Sequence, residues 1–245
     1  MNAMILGATQ GMGQALARLM AARGHSLFLL GRNRESLERC ASDLEARYGR
    51  APVGFEICDL REPATFGLAL DQAWSVLGRV DAVVVTAGIF DTQDRLEQNR
   101  EKLSEMLSVN FTNTILFCEE ARSRLKKQGG GTLCVFSSVA GDRGRKPVIL
   151  YGATKAGLSY YLEALDHAER RNGLVVVCIK PGFVKTAMTA GLKPPPFAGE
   201  PESVARDVLR AIERGQPVVY TPRPWGLVMW VIRRLPRFLM RRINF

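Results

Sequence analysis

Histidine is nearly missing from this chain: His25 and His167 are the only two in 245 residues. The five cysteines (Cys40, Cys58, Cys118, Cys134 and Cys178) are scattered and never form a CxxC pair. Together these gaps argue against a zinc or iron–sulfur site, and no metal is expected. Buried, reduced thiols of a cytoplasmic protein are expected instead. No apolar run reaches the ~18–20 residues that a membrane-spanning helix requires. No low-complexity stretch interrupts the chain. The first strand pattern begins at Ala3, so no signal or transit peptide is expected. Acid is missing from the last 25 residues, while Arg223, Arg233, Arg234, Arg237, Arg241 and Arg242 all fall there. That tail carries +6 of the formal net charge of +10. Basicity gathered in one terminal segment is not the footprint of a nucleic-acid surface, and no nucleic acid is expected as a partner.

What is there alternates. Short apolar strand patterns occur at 3–6, 26–30, 53–57, 81–85, 131–137, 174–179 and 218–220. Amphipathic helical patterns separate them, notably at 12–23, 35–48, 63–77, 101–126, 151–171 and 201–214. Strands alternating with helices predict an α/β fold, a doubly wound parallel sheet of the Rossmann type. One domain spans residues 1–220, and residues 221–245 form a basic amphipathic helical extension. There is no internal repeat beyond the alternation.

The first strand runs into Gly7-Ala-Thr-Gln-Gly11-Met-Gly13 and then a helix. A glycine turn feeding a helix N-terminus presents backbone N–H groups to a pyrophosphate. The turn from Gly7 to Gly13, including Thr9, Gln10, Gly11 and Met12, is therefore a candidate dinucleotide site. Where a dinucleotide fold places an acid against the adenosine ribose, this chain has Gly31 followed by Arg32 and Arg34. An acid repels a 2′-phosphate and a guanidinium pairs with it, so NADP(H) is the expected cofactor and Arg32 its main contact. Asp59, at the end of the third strand, is placed toward the adenine, and Leu60 beside it is a further candidate for cofactor contact.

Tyr151 and Lys155 lie four residues apart in a helical pattern, thirteen and seventeen residues after Ser138. At that spacing the phenol and the ammonium share a helix face. A cation beside a phenol lowers the phenol's pKa, and the pair suits proton exchange with a carbonyl or alcohol.

In order and spacing, these residues resemble the short-chain dehydrogenase/reductase family over roughly residues 3–220. The marks are Gly7, Gly11 and Gly13; Asp59; Ala87-Gly88; Asn110; Ser138; Tyr151 with Lys155; and Pro181-Gly182 leading through Val184 to Thr186. The resemblance implies that hydride passes between nicotinamide and substrate carbon while Tyr151 passes the proton. It implies that Lys155 holds the ribose and tunes Tyr151, that Ser138 holds the substrate oxygen, and that Asn110 completes a water relay. Ala87, Gly88, Pro181, Gly182, Val184 and Thr186 would line the cofactor. A dimer or tetramer paired through the 101–126 and 151–171 helices is also implied. Two positions depart from the family pattern: Leu6 stands where threonine is common, and Thr86 where asparagine is common.

Three segments are candidates for selecting substrate. Residues 141–146 carry Arg143, Arg145 and Lys146, suited to a substrate phosphate or carboxylate, to solvent or to a subunit contact. Residues 189–199 carry Pro194, Pro195, Pro196 and Phe197 and match the family's lid. The third is the tail. On a helical wheel Trp225, Val228, Met229, Ile232, Leu235, Leu239 and Ile243 share one side, with arginines beside them and a kink expected at Pro236. That pattern fits a helix lying in a membrane interface, or one packed against the domain or a partner subunit. The expected activity is reduction of a bulky apolar or lipid-linked ketone, at the inner face of a membrane if the tail docks there. The alternatives are a soluble ketoreductase of secondary metabolism with the tail used in packing, and a non-catalytic NADP(H)-sensing regulator.

Overall fold

The computed structural model describes residues 1–49 and 53–243. The final two positions of the expected tail therefore lie outside the described residues. Seven strands form one parallel sheet: β1 (Asn2–Leu6), β2 (Ser26–Gly31), β3 (Gly54–Ile57), β4 (Ala82–Val85), β5 (Gly131–Phe136), β6 (Leu174–Pro181) and β7 (Val218–Thr221). Their spatial order is β3-β2-β1-β4-β5-β6-β7. The helices are α1 (Gly11–Ala22), α2 (Arg34–Tyr48), α3 (Phe66–Leu77), α4 (Gln93–Glu97), α5 (Arg100–Leu107), α6 (Asn113–Lys127), α7 (Ile149–Glu169), α8 (Pro201–Arg214), α9 (Pro224–Arg234) and α10 (Arg237–Met240).

The period-two geometry of a strand sends alternate side chains to opposite faces. In β1, Ala3 and Ile5 face one layer and Met4 and Leu6 the other. On the first face α1 contributes Leu16 and Met20, α2 Leu37 and Leu44, and α8 Val208 and Leu209. On the second, α3 contributes Phe66 and Leu70, α6 Phe117 and Leu125, and α7 Leu158 and Leu162. Phe66 and Phe117 meet edge to face with ring centroids 5.4 Å apart, locking α3 to α6. All five cysteines are buried and free.

Because β1 lies between β2 and β4, the chain leaves the β1 end in one direction and returns beside it from the other. This reversal opens a crevice at the carboxyl ends of β1 and β4, the place where parallel sheets bind ligands.

Two local differences from the sequence reading bear on the site. The helical stretch expected over 101–126 is broken by a π turn at Ser108–Thr112, between α5 and α6. The tail divides as expected at Pro236, which stands just before α10 while Leu235 leaves the helical conformation. A small third cluster joins Trp225, Met229 and Ile232 of α9 to Val139, with Phe183, Tyr220 and Met240 around it. The side of the tail that the helical wheel marked as apolar thus begins as an inward-packed face. Among the described residues no helix is long and apolar enough to cross a membrane.

Candidate functional site

Gly7 has φ +93° and Gly11 φ +52°, conformations that only glycine adopts freely. A side chain at Gly13 would collide with the carbonyl oxygen of Gly7, so the turn and the start of α1 must touch. Gln10 precedes α1 with no side-chain cap, and the first turn has no acid. The N–H groups there are available to an external anion. Around this turn lies a cleft of about 220 Å³. Of the residues expected to contact a dinucleotide, it is lined by Gly7, Thr9, Gln10, Gly11, Met12 and Gly13, by Arg32, Asp59 and Leu60, and by Ala87, Gly88 and Thr186. Thr186 stands over the turn, its methyl 3.3 Å from where a Cβ on Gly11 would lie. These residues fit a dinucleotide: a cradle that admits only glycine, an uncapped helix end, and a slot beside it.

The two arginines after β2 differ in their surroundings. Arg34 pairs with Glu38 at 3.1 Å and lies 5.7 Å from the Phe55 ring centroid. Arg32 is exposed on the cleft wall and forms no ion pair among the described residues. Asp59 accepts from the N–H of Arg61 at 2.9 Å, which holds the β3 exit in a turn. The Leu60 carbonyl accepts from the Asn113 amide at 2.7 Å.

The departure at Thr86 is absorbed locally. Its hydroxyl lies 3.0 Å from the Leu6 carbonyl and 3.1 Å from that of Gly7, so its proton ties β4 to the glycine turn. Asn110 sits in the π turn, completely buried. Its amide accepts from the N–H of Ile89 at 2.8 Å and donates to the carbonyl of Ile89 at 2.7 Å. Both polar ends of this side chain are committed to holding the segment after β4.

Ser138, Tyr151 and Lys155 come together because two glycines allow close approach. A Cβ on Gly141 would lie 2.5 Å from the Lys155 carbonyl carbon, and one on Gly152 would lie 2.9 Å from the Ala140 oxygen. The turn after β5 therefore rests directly on α7 at the level of Tyr151. The Ser138 hydroxyl accepts from the Ala140 N–H at 3.1 Å and stands 3.5 Å from the Pro181 carbonyl. Lys155 donates to the Phe136 carbonyl at 3.0 Å. A Cβ on Gly88 would lie 3.2 Å from Asn110 Oδ1 and 3.7 Å from Lys155 Nζ, which brings the β4 exit into the same cluster.

The electrostatics depart from the sequence reading. Burial pushes the Tyr151 phenol up to about 12, and a hydrogen bond from Ser138 opposes that rise. Lys155 stands 5.8 Å from the Tyr151 ring centroid and is not what sets the phenol's pKa in this structure. Burial brings the Lys155 ammonium itself down to about 8. The expected lowering of Tyr151 by its neighbour is replaced by two groups, each shifted toward its neutral form by desolvation.

The segments proposed for substrate selection are placed less simply. Arg143 donates to the Leu235 carbonyl and Lys146 to the Arg241 carbonyl, both at 2.7 Å. They hold the tail instead of standing open as an anion site. Burial lowers the Arg145 guanidinium below its usual value. Phe197 has φ +65° and is 57% exposed, so it does not close over the site here. Pro181 ends β6; Gly182 follows it against the Trp225 indole, where no side chain would fit. Val184 is buried and pairs with Gly199 across the base of the 189–199 segment. The Trp225 indole N–H donates to the Phe197 carbonyl at 3.1 Å.

Sequence reasoning missed one half-buried cluster. Asp142 accepts from Lys180 and from the Tyr220 hydroxyl, each at 2.6 Å. It ties the loop after Ser138 to β6 and β7. Nothing in the local sequence marks it, since the three residues meet only in the folded sheet.

A model of the short chain dehydrogenase family matches residues 1–196. An uncharacterised oxidoreductase of Mycobacterium tuberculosis is 32% identical over 241 residues, covering 98% of this chain and 95% of the relative. The 3-oxoacyl-[acyl-carrier-protein] reductase of Aquifex aeolicus is 30% identical over 219 residues, covering 84% and 87%. Among solved structures, a variant of actinorhodin polyketide ketoreductase with NADPH superposes with a TM-score of 0.79 at 22% identity, covering 90% of this chain and 95% of that one. At that identity the likeness is one of fold. The sequence match and the sheet order agree, and by that agreement the chain belongs to the short-chain dehydrogenase family of oxidoreductases.

Proposed function

We propose that the protein is an NADP(H)-dependent oxidoreductase interconverting a ketone and a secondary alcohol, working as a reductase of a bulky, apolar carbonyl compound. The observation that carries this reading is the convergence of Ser138, Tyr151 and Lys155 beside a cleft that admits only glycine at its turn. The nicotinamide, when bound, supplies or accepts the hydride. The chain's own residues handle the oxygen and its proton. Ser138 donates a hydrogen bond to the substrate oxygen. Tyr151, with a pKa near 12, holds its proton at neutral pH and is set to give it to the forming alkoxide. Lys155, with a pKa near 8, is mostly an ammonium at pH 7 and holds the ribose hydroxyls. Asn110 keeps Ile89 and the adjoining wall in place.

An apolar substrate is supported by the surroundings of Ser138. Val139 packs with Trp225 and Met229, and Phe183 lies in the same cluster. A ketone as substrate is in keeping with the Aquifex aeolicus relative, a 3-oxoacyl reductase. The cytoplasm, with attachment of residues 225–245 to the inner face of a membrane, is the proposed location, and a homo-oligomer the proposed assembly. The soluble ketoreductase remains the second reading, favoured by the inward packing of Trp225, Met229 and Ile232.

The cofactor assignment has its own test. Steady-state oxidation of NADPH and NADH, with a panel of ketones from short to long chain, should show preference for NADPH and for the longer ketones. Arg32→Ala should raise the KM for NADPH at least tenfold and leave that for NADH within about twofold. An unchanged ratio would remove Arg32 from the 2′-phosphate site.

A further inference from the structure

The tail has a second apolar face that the sequence did not single out. Leu227, Trp230 and Val231 of α9 are 69%, 56% and 45% exposed, and Phe238 of α10 is 59% exposed. The first three stand at i, i+3 and i+4, one stripe of a helix. Trp225, Met229 and Ile232, at i, i+4 and i+7, form the opposite stripe and are buried. The helix is therefore apolar on both sides, and only one side is covered by the domain.

This outward face does not sit on a loose segment. The Trp225 indole bonds to the lid, Arg143 holds the Leu235 carbonyl at the end of α9, and Lys146 holds the Arg241 carbonyl after α10. The rim of the face is cationic. Arg233, Arg234, Arg237, Arg241 and Arg242 are all exposed, and no Asp or Glu follows Glu213 in the sequence. Among the described residues the tail arginines form a single ion pair, Arg223 with Asp207 at 3.7 Å. The Arg234 guanidinium lies 4.1 Å from the Trp230 ring centroid, at the border between the apolar stripe and the charge.

We infer that this face docks on an anionic lipid surface, with Leu227, Trp230, Val231 and Phe238 inserted among the headgroups and the arginines against lipid phosphates. Charge complementarity selects that occupant. A tail this rich in arginine and itself free of acid matches a plane of phosphates, and large exposed apolar side chains between the arginines match the layer beneath it. A nucleic acid would meet the charge and leave the apolar stripe in water. The inference names the substrate class of the proposed oxidoreductase, an amphiphilic carbonyl compound drawn from the bilayer, and to that extent rests on that reading. The geometry supports the link: the docked helix is one side chain away from the site, through Trp225 against Gly182.

The test is co-sedimentation of the full chain with vesicles of phosphatidylcholine alone or with about a third phosphatidylglycerol. Binding should be at least tenfold stronger to the anionic vesicles and should weaken as salt shortens the range of the charges. A combined Leu227→Ser, Trp230→Ser and Phe238→Ser variant should lose at least tenfold in that binding, while its melting temperature and its elution volume stay those of the parent. Equal binding to both vesicles, or no binding to either, would overturn the inference. So would a variant that fails to bind because it elutes as a smaller species, which would make the face a subunit interface. Tyr151→Phe should sediment like the parent, so docking and turnover can fail separately.

Discussion

Lys155 shows most plainly how one residue's environment sets its work. Its ammonium is buried among Phe136, Asn110 and Gly88, and the carbonyl of Phe136 is its hydrogen-bond partner. Desolvation lowers its pKa from 10.5 to about 8, so below pH 8 the folded chain carries a charge that the unfolded chain carries more easily. The unfolded state binds the extra proton between pH 8 and 10.5, and folding stability therefore rises with pH across that window. Replacing Lys155 by methionine removes the charge and keeps most of the volume. Lys155→Met should be more stable than the parent by about 3 kcal/mol at pH 7, with the gap closing as pH passes from 8 to 10.5, while turnover is lost. Denaturant unfolding of both proteins at pH 7, 8.5 and 10 measures it. A gap independent of pH would show that the buried ammonium is not what costs stability. The spacing of Tyr151 and Lys155 gave their common face, but it did not give this. How deeply the pair is buried depends on how closely Gly141 and Gly152 let the β5 turn settle on α7, and that is a tertiary fact.

At the scale of the element, α9 combines two roles that a helical wheel read as one. The wheel found an apolar side and an arginine side. The fold adds that the side bearing Trp225 and Met229 closes over Val139 and Gly182, so the remaining apolar side chains face outward. Trp225→Ala should destabilise the protein by about 3 kcal/mol, as expected for removing a large buried aromatic, and should free the lid carbonyl at Phe197. Trp230→Ala, on the exposed stripe, should stay within about 0.5 kcal/mol of the parent. Guanidinium unfolding of the two variants decides; equal effects would mean that the two stripes are not inner and outer. The π turn at Ser108–Thr112 is another element whose sequence concealed its form. Its apolar periodicity is helical throughout, and the extra residue in the turn is stabilised by contacts of Asn110 with Ile89 from a different segment.

For the whole molecule, most of the architecture was legible because parallel strands buried on both faces read as short, nearly continuous apolar runs. All seven strands were found within two residues at either end. The glycine turn was legible for the same reason that it works, since positive φ and backbone contact leave little choice of residue. Contacts that depend on sheet order were not legible. Asp142 meets Lys180 and Tyr220 only because β6 and β7 are neighbours at that edge. Arg143 and Lys146 looked open to an anion until the tail returned across them. Of the net charge of +10, +6 is carried by the last 25 residues of the chain.

The central claim is that Tyr151 passes the proton while the cleft holds the cofactor. It is tested most directly by following NADPH oxidation with a long-chain ketone and NADPH binding by fluorescence on the same samples of parent and Tyr151→Phe. Turnover should fall at least a thousandfold while the affinity for NADPH changes less than threefold. Turnover that survives the substitution, or binding lost along with it, would contradict the account.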